Sequence, residues 1–465
     1  VTVVNHNERP DPERATAALN RITAAGLIGT VIEYYDFFLY ATAAALVFGP
    51  VYFPHFAPAT ATLASMATFA TGFLARPLGA ALFGHIGDRL GRRTLLLGTV
   101  LTTGGATVGM GLLPGYQELG LAAPVCLVAL RLLQGVGIGG EWTGAVVLAT
   151  EHAPARRRGL WASFPQIGPA LGFLLANGSL LALTATLDAQ EFQAWGWRVP
   201  FWCAGLLTLI GYVLRSSILE SPAFRALAED RALSRAPVLQ VIGHHSGRVL
   251  LIAGAVTCAY AVHYTVTTWA MSHATTTMGL DPTGTLLSVT IAMTVMAATT
   301  PLAAALGDRF GRRRLGIIGC TAMAALMLPY LALLQTGSLL ALTAGTTVEL
   351  LALVTMLGVQ GAYIPELFDA RIRSTGTAVA YNIGAVFGGG LTPLVNSRLS
   401  EITATGFPWL TAAYVICLCG ASLLCLLRLP STQPPSEDRH RPASILAADG
   451  EHPAGCAARS ATRRT

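Results

Sequence analysis

The chain has 465 residues, 53% hydrophobic and only 12% charged, with a mean hydropathy of +0.56. Soluble domains carry about 25% charged residues, so this composition excludes an ordinary water-soluble fold and points to lipid as the main solvent. The formal net charge of +6 rests on thirty basic residues, all arginine; they gather at short repeated loops, which reads as codon bias and not as a nucleic-acid footprint.

Residues 1–20 form a polar segment with no small-residue cleavage site behind an apolar core, so no cleaved signal peptide is expected. Apolar runs of about twenty residues predict membrane-crossing helices. Twelve follow in order, at 21–48, 58–86, 94–113, 122–149, 159–183, 197–216, 248–276, 283–306, 315–335, 339–363, 374–397 and 407–428. The expected organisation is a cytoplasmic N-terminal segment (1–20), a six-helix half (21–216), a cytoplasmic connector (217–247), a second six-helix half (248–428) and a disordered tail (429–465). Within the connector, 222–235 has helical propensity and mixed charge, which predicts a short helix on the inner membrane surface. The eight cysteines show no metal-ligand or extracellular spacing; seven sit in apolar segments, where a thiol acts as a small hydrophobe. No metal and no cofactor are expected.

Arginines crowd the loops after even-numbered spans and the connector, whereas loops after odd spans hold only Arg198 and Arg398. Positive-inside bias therefore predicts both termini in the cytoplasm of a bacterial cell, the chain crossing the inner membrane many times. The chain also repeats itself. "GHIGDRLGRR" at 84–93 returns as "AALGDRFGRR" at 304–313, and "EHAPARRR" at 151–158 returns as "ELFDARIR" at 366–373. Two six-span halves with matched loops imply pseudo-symmetry about a central cleft, a transporter architecture.

In the first repeat the glycines permit a tight turn, Asp88 can accept from a helix N-terminus or pair with arginine, and the arginines can hold an anionic leaflet. This pattern, with "RLLQGVGIGGEWTGA" at 131–145, resembles the signatures of the major facilitator superfamily. "EYYDFFLYA", "GWRVPF", "LESPAF" and "AYNIGAVFGGG" are similar to those of its metabolite:proton symporters. The resemblance spans about 15–428 and implies an all-α membrane fold of twelve helices in two halves. It further implies import of a small organic acid or zwitterion with a proton, by a protein that works as a monomer. Asp88 would latch the halves on the cytoplasmic side, and the gating set comprises Gly84, Asp88, Arg89, Gly91, Arg92, Glu151, Arg156, Asp308, Arg309, Gly311, Arg312, Glu366 and Arg371. A proton-coupled exporter of the same fold is the alternative, since "IGPALG" at 167–172 partly matches an antiporter pattern. A membrane enzyme is disfavoured, because HExxH and GxSxG patterns are absent, and so is a P-loop.

Span one carries Glu33 and Asp36 deep in its apolar run. At 1.5 Å per residue they lie roughly 18 and 22 Å from its inner end, and Arg131 of span four falls at roughly 16 Å. Desolvation opposes ionisation of a buried carboxylate and a nearby arginine favours it. Asp36 or Glu33 is therefore the expected proton site, with Arg131 pairing alternately with it or with an anionic substrate group; a static ion pair is the competing reading. Glu141 is either a structural partner for inner-loop arginines or a proton exit station, and Arg76 is expected to anchor near the inner end of span two. The glycines at 135, 137, 139 and 140 predict close helix packing. Cleft candidates are Tyr34, Tyr35, Gln134, Trp142, Gln166, Tyr260, Tyr264, Glu349, Tyr381 and Asn382. Glu349 matches no family motif; it would either face the cleft or pair with His263, while His263 and His273 read as hydrogen-bonded helix residues.

Overall fold

The computed structural model describes residues 12–230, 232–403 and 406–432. The first eleven residues, the tail beyond 432 and Cys456 lie outside that set, so the expectations for both terminal segments apply mostly to residues not described.

Twelve helices of spanning length follow in order: α1 (Pro12–Leu46), α2 (Pro58–Arg89), α3 (Arg92–Leu112), α4 (Ala122–His152), α5 (Ala155–Thr186) and α6 (Phe192–Ser216). Then come α7 (Ser246–Thr276), α8 (Pro282–Phe310), α9 (Arg312–Leu334), α10 (Leu339–Glu366), α11 (Arg373–Thr403) and α12 (Trp409–Arg428). Eleven are apolar enough to cross a membrane by hydropathy alone. The exception, α2, carries Arg76, His85 and Asp88 and packs along α4 and α11. No strand occurs among the described residues.

Packing repeats between the halves. Helices α2 with α4, α3 with α4, α1 with α5 and α3 with α6 match α8 with α10, α9 with α10, α7 with α11 and α9 with α12. The seam between halves is made by α2 against α11 and by α5 against α8, which the same pseudo-two-fold exchanges. Small residues set the closest approaches. A Cβ on Gly135 would stand 2.3 Å from the Gly72 carbonyl oxygen, and one on Gly139 would stand 2.2 Å from that of Arg76. The glycine face of α4 is thus a packing surface for α2, as its spacing predicts.

Two departures from the sequence reading are local. The connector is not one helix over 222–235 but two, Pro222–Glu229 and Pro237–His244, because Pro237 starts a new helix and disfavours helical backbone at Ala236. Helices α7 and α11 each widen by one residue per turn, over Thr265–Trp269 and Val386–Gly390, a local π-helix of the kind that gathers at functional sites.

Candidate functional site

At one end of the bundle, termed the loop face, the two Gly-Asp-Arg loops build matching latches. Gly91 and Gly311 turn the chain at φ 105° and 101°, a region that only glycine enters without strain. Each turn sets an aspartate against a helix N-terminus of the opposite half. Asp88 accepts from the backbone N–H groups of Ser374 (3.1 Å) and Thr375 (2.9 Å) at the start of α11. Asp308 accepts from Gly159 and Leu160 (both 2.9 Å) in the first turns of α5. Arg92 holds Asp88 at 2.9 Å, and Arg312 holds Asp308 at 2.7 Å. Arg373 reaches Glu151 at 2.8 Å, and Arg158 reaches Glu366 at 3.6 Å, so each latch also carries an ion pair between halves. Gly84 sits where a Cβ would stand 2.7 Å from the Thr375 Cα.

The gating set therefore comes together in part. Arg373 and Arg158, two residues beyond Arg371 and Arg156, supply these cross-half pairs. Exposed Arg371 bonds through its backbone N–H to Asp369, and Arg156 lies in the turn Ala155–Arg157. Arg89 is exposed at the end of α2, and Arg309 lies over the Phe310 ring. Sequence periodicity marked the loops but not which arginine of each turns inward.

Midway along the bundle, Glu33 and Asp36 are buried on α1, and Glu33 Oε2 and both Asp36 carboxylate oxygens lack a hydrogen-bond partner. Thr107, Glu141 and Arg131 are the polar neighbours of Asp36; Glu141, Arg76 and Arg215 are those of Glu33. Arg131 bonds to Gln134 and, at 3.4 Å, to the Phe69 carbonyl, and its guanidinium lies 4.2 Å from the Tyr40 ring centroid. Gly72 gives it room, since a Cβ there would fall 2.6 Å from Arg131 Nε. Among the described residues, neither Arg131 nor Arg76 has a carboxylate within 4.0 Å. Glu141, in contrast, is paired with Arg215 at 2.5 Å, and Arg215 also donates to the Leu96 carbonyl.

Arg76 departs from its expected position. It is 3% exposed, stacked over Phe73 (4.4 Å) and Phe37 (5.1 Å), and does not anchor at an interface. Thirteen residues separate it from Arg89, the end of α2, which is roughly 20 Å of helix. Tyr34, Tyr260, Tyr264 and Glu33 form its electrostatic surroundings.

Those tyrosines face a cavity between the halves that holds about 470 Å³ of non-atom space, open solvent included. Of the cleft candidates, Tyr34, Gln166, Tyr260, Tyr264 and Tyr381 line it; His263, Met296 and Gln360 line it too. The His263 ring packs edge-on against Tyr264 and makes no hydrogen bond among the described residues, unlike that of His273, which meets Gln335 at 3.1 Å. Trp142 lies just behind, stacked on Tyr381 at 3.6 Å and donating to Gln166 (2.8 Å), which in turn donates to the Leu357 carbonyl (3.3 Å). On the side away from the loops, Tyr264 meets Phe73 across the seam at 5.8 Å.

Four cleft candidates point elsewhere, because each residue turns a helix by about 100°. Tyr35 donates to the Pro200 carbonyl on α6. Gln134 bridges α4 to Thr107 of α3 at 2.8 Å. Asn382 donates to the Gly139 carbonyl at 2.7 Å, tying α11 to α4 below the cavity. Glu349 is buried without a hydrogen-bond partner on either oxygen, near Tyr330 and Cys419 inside the second half. It neither lines the cavity nor bonds to His263. Gln360 escaped the sequence reading; Arg215, in the last turn of span six, is one of the inner-loop arginines which that reading offered Glu141 as a structural partner.

A two-half helical bundle, latched at one end and holding a tyrosine-lined cavity beside buried charges, defines a multi-pass membrane transporter. The Major Facilitator Superfamily profile matches residues 26–393 and, overlapping, 264–455. The chain is 37% identical over 437 residues to the inner membrane metabolite transport protein YhjE of Escherichia coli, covering 93% of this chain and 98% of that one. It is 36% identical over 430 residues to the shikimate transporter of the same organism, covering 91% and 98%. Its fold is similar to that of the proton:xylose symporter XylE bound to 6-bromo-6-deoxy-D-glucose, with a TM-score of 0.75 at 20% identity over 90% of this chain and 98% of that one. The chain belongs to the Major Facilitator Superfamily.

Proposed function

We propose that this transporter imports a small organic acid or zwitterionic metabolite together with a proton, by alternating access, with the loop face and both termini in the cytoplasm. The observation that carries the reading is Asp36, a fully buried carboxylate with both oxygens unpartnered, beside a guanidinium that has no carboxylate of its own. A charge left so at the centre of a membrane protein is costly. It persists where its proton occupancy changes as the bundle opens and closes.

Roles divide by position. Asp36 takes and releases the proton, and Arg131 swings between Gln134 and the ionised carboxylate. Arg76, behind the tyrosine wall and next to Glu33, attracts the substrate's carboxylate, while the tyrosine hydroxyls, Gln166 and Gln360 accept or donate to its polar groups. The Glu141–Arg215 pair fixes packing inside the first half. Both latches are engaged, so this conformation is closed toward the cytoplasm; inward opening requires Asp88 to leave the end of α11 and Asp308 to leave the end of α5. The Gly-Pro stretch of α5 has a packing role, since a Cβ on Gly168 would stand 2.3 Å from the Thr30 hydroxyl.

The test is flux into proteoliposomes of oriented protein with a radiolabelled panel of organic acids, proline and betaine. An imposed inward proton gradient is expected to drive uptake of at least one of them, abolished by an uncoupler. Gradient-driven extrusion would instead identify an exporter.

A further inference from the structure

The pseudo-two-fold breaks at the last turns of α6 and α12, and the break exposes a second site. Each of these last turns carries an arginine, Arg215 in α6 and Arg428 in α12. Arg215 turns inward to Glu141. The offset that carries Glu151 onto Glu366 (366 − 151 = 215) carries Glu141 onto Met356, so that position in the second half holds no carboxylate. Arg428 is exposed and makes no ion pair or hydrogen bond among the described residues.

It opens instead on a concavity at the loop face, where the start of α7 meets the end of α12, with about 670 Å³ of space, open solvent included. His244, His245 and Arg248 complete its polar wall, and among the described residues no acidic side chain lines it. Arg248 spends one N–H on the Leu367 carbonyl at 2.8 Å, which fixes its guanidinium at the rim. Apolar surface runs away from this rim on both sides. The connector helix Pro237–His244 buries Val241 and exposes Leu239 and Ile242, and the adjoining turns of α7 and α12 expose Leu250 and Leu427.

We infer that this pocket binds the phosphate of an anionic phospholipid from the leaflet at the loop face. Two guanidiniums match phosphate oxygens in charge and hydrogen-bond geometry, and basic pockets between spanning helices at that depth recognise such headgroups. The flanking leucines and isoleucine accept the acyl chains, which a free phosphate lacks. The site lies apart from the central cavity and does not depend on what the cavity carries.

The experiment is native mass spectrometry of the full chain after delipidation, titrated with phosphatidylglycerol, phosphatidylethanolamine or inorganic phosphate. Wild-type protein is expected to retain phosphatidylglycerol selectively. At about 5-fold per basic residue near an anionic surface, R428Q weakens retention about 5-fold and R248Q/R428Q roughly 25-fold. R314Q, which removes an exposed loop-face arginine outside the pocket, leaves retention unchanged. Unfolding temperatures of the variants close to wild type establish that they fold; should R248Q/R428Q fail to, R428Q alone decides. Equal retention by wild type and R428Q, equal retention of the two lipids, or displacement of the lipid by millimolar inorganic phosphate would each overturn the inference.

Discussion

Single buried charges decide most of this molecule's chemistry, and they fall into two kinds. Glu141 and Arg215 neutralise one another, so removing one strands the other in a low-dielectric interior. E141Q is expected to destabilise the protein by about 3–5 kcal/mol, and an added R215M to restore most of that loss, both read as thermal unfolding in detergent. Asp36, Arg131 and Arg76 have no such partner among the described residues, and the proposed cycle assigns them to proton and solute. Under the proposed role, R76Q raises KM for an anionic substrate by about 10-fold or more with little change in unfolding temperature, since a buried guanidinium–carboxylate contact is worth about 1.5–3 kcal/mol. An unchanged KM would remove Arg76 from substrate binding. Depth along the helix was legible in the sequence for Glu33, Asp36 and Arg131, because rise per residue is fixed. Azimuth was not. Tyr34 and Tyr35 are adjacent, yet one lines the cavity and the other bonds to Pro200 on α6, and in a helix packed on several sides the residue pattern does not mark which side faces the cleft.

At the scale of helices, the latches show what the internal repeat encodes. Spacing placed the two Gly-Asp-Arg loops in equivalent positions, and glycine chemistry gave their positive-φ turns. The partners of the aspartates lie 286 and 149 residues away in sequence at their first contacts, so no local pattern could name them. Each aspartate satisfies otherwise open N–H groups at a helix start, where a negative charge is also favoured. Truncating such a cap to alanine costs about 0.5–2 kcal/mol. D88A and D308A are therefore each expected to shift the population toward the state open at the loop face. Labelling of a cysteine placed at Ser374 or Leu160 by a membrane-impermeant maleimide in inside-out vesicles reads this directly. Labelling no faster than in the parent would show that the latches do not hold this conformation.

Across the whole molecule, the asymmetry between the two ends of the cavity fits a transporter caught closed on one side. Toward the loop face the halves are joined by Asn382, the Trp142–Gln166–Leu357 chain and both latches; on the other side the Phe73–Tyr264 contact abuts the cavity. Under the proposed cycle, opening outward moves α7 and α11 at their π-helical turns. Opening inward requires both latches to release together. Architecture on this scale was the most legible part of the sequence, because length, hydropathy and the repeat all report it. The cavity wall was the least, since six helices contribute to it and each adds only a few residues.

The central claim is that Asp36 couples solute movement to the proton gradient. Its most direct test is radiolabelled substrate accumulation in proteoliposomes under an imposed inward proton gradient, wild type against D36N, with counterflow exchange measured on the same vesicles. The account predicts that wild type concentrates the substrate, while D36N retains exchange but loses accumulation by about 10-fold or more, within the range of site-to-site coupling. Full accumulation by D36N at wild-type rate would contradict it.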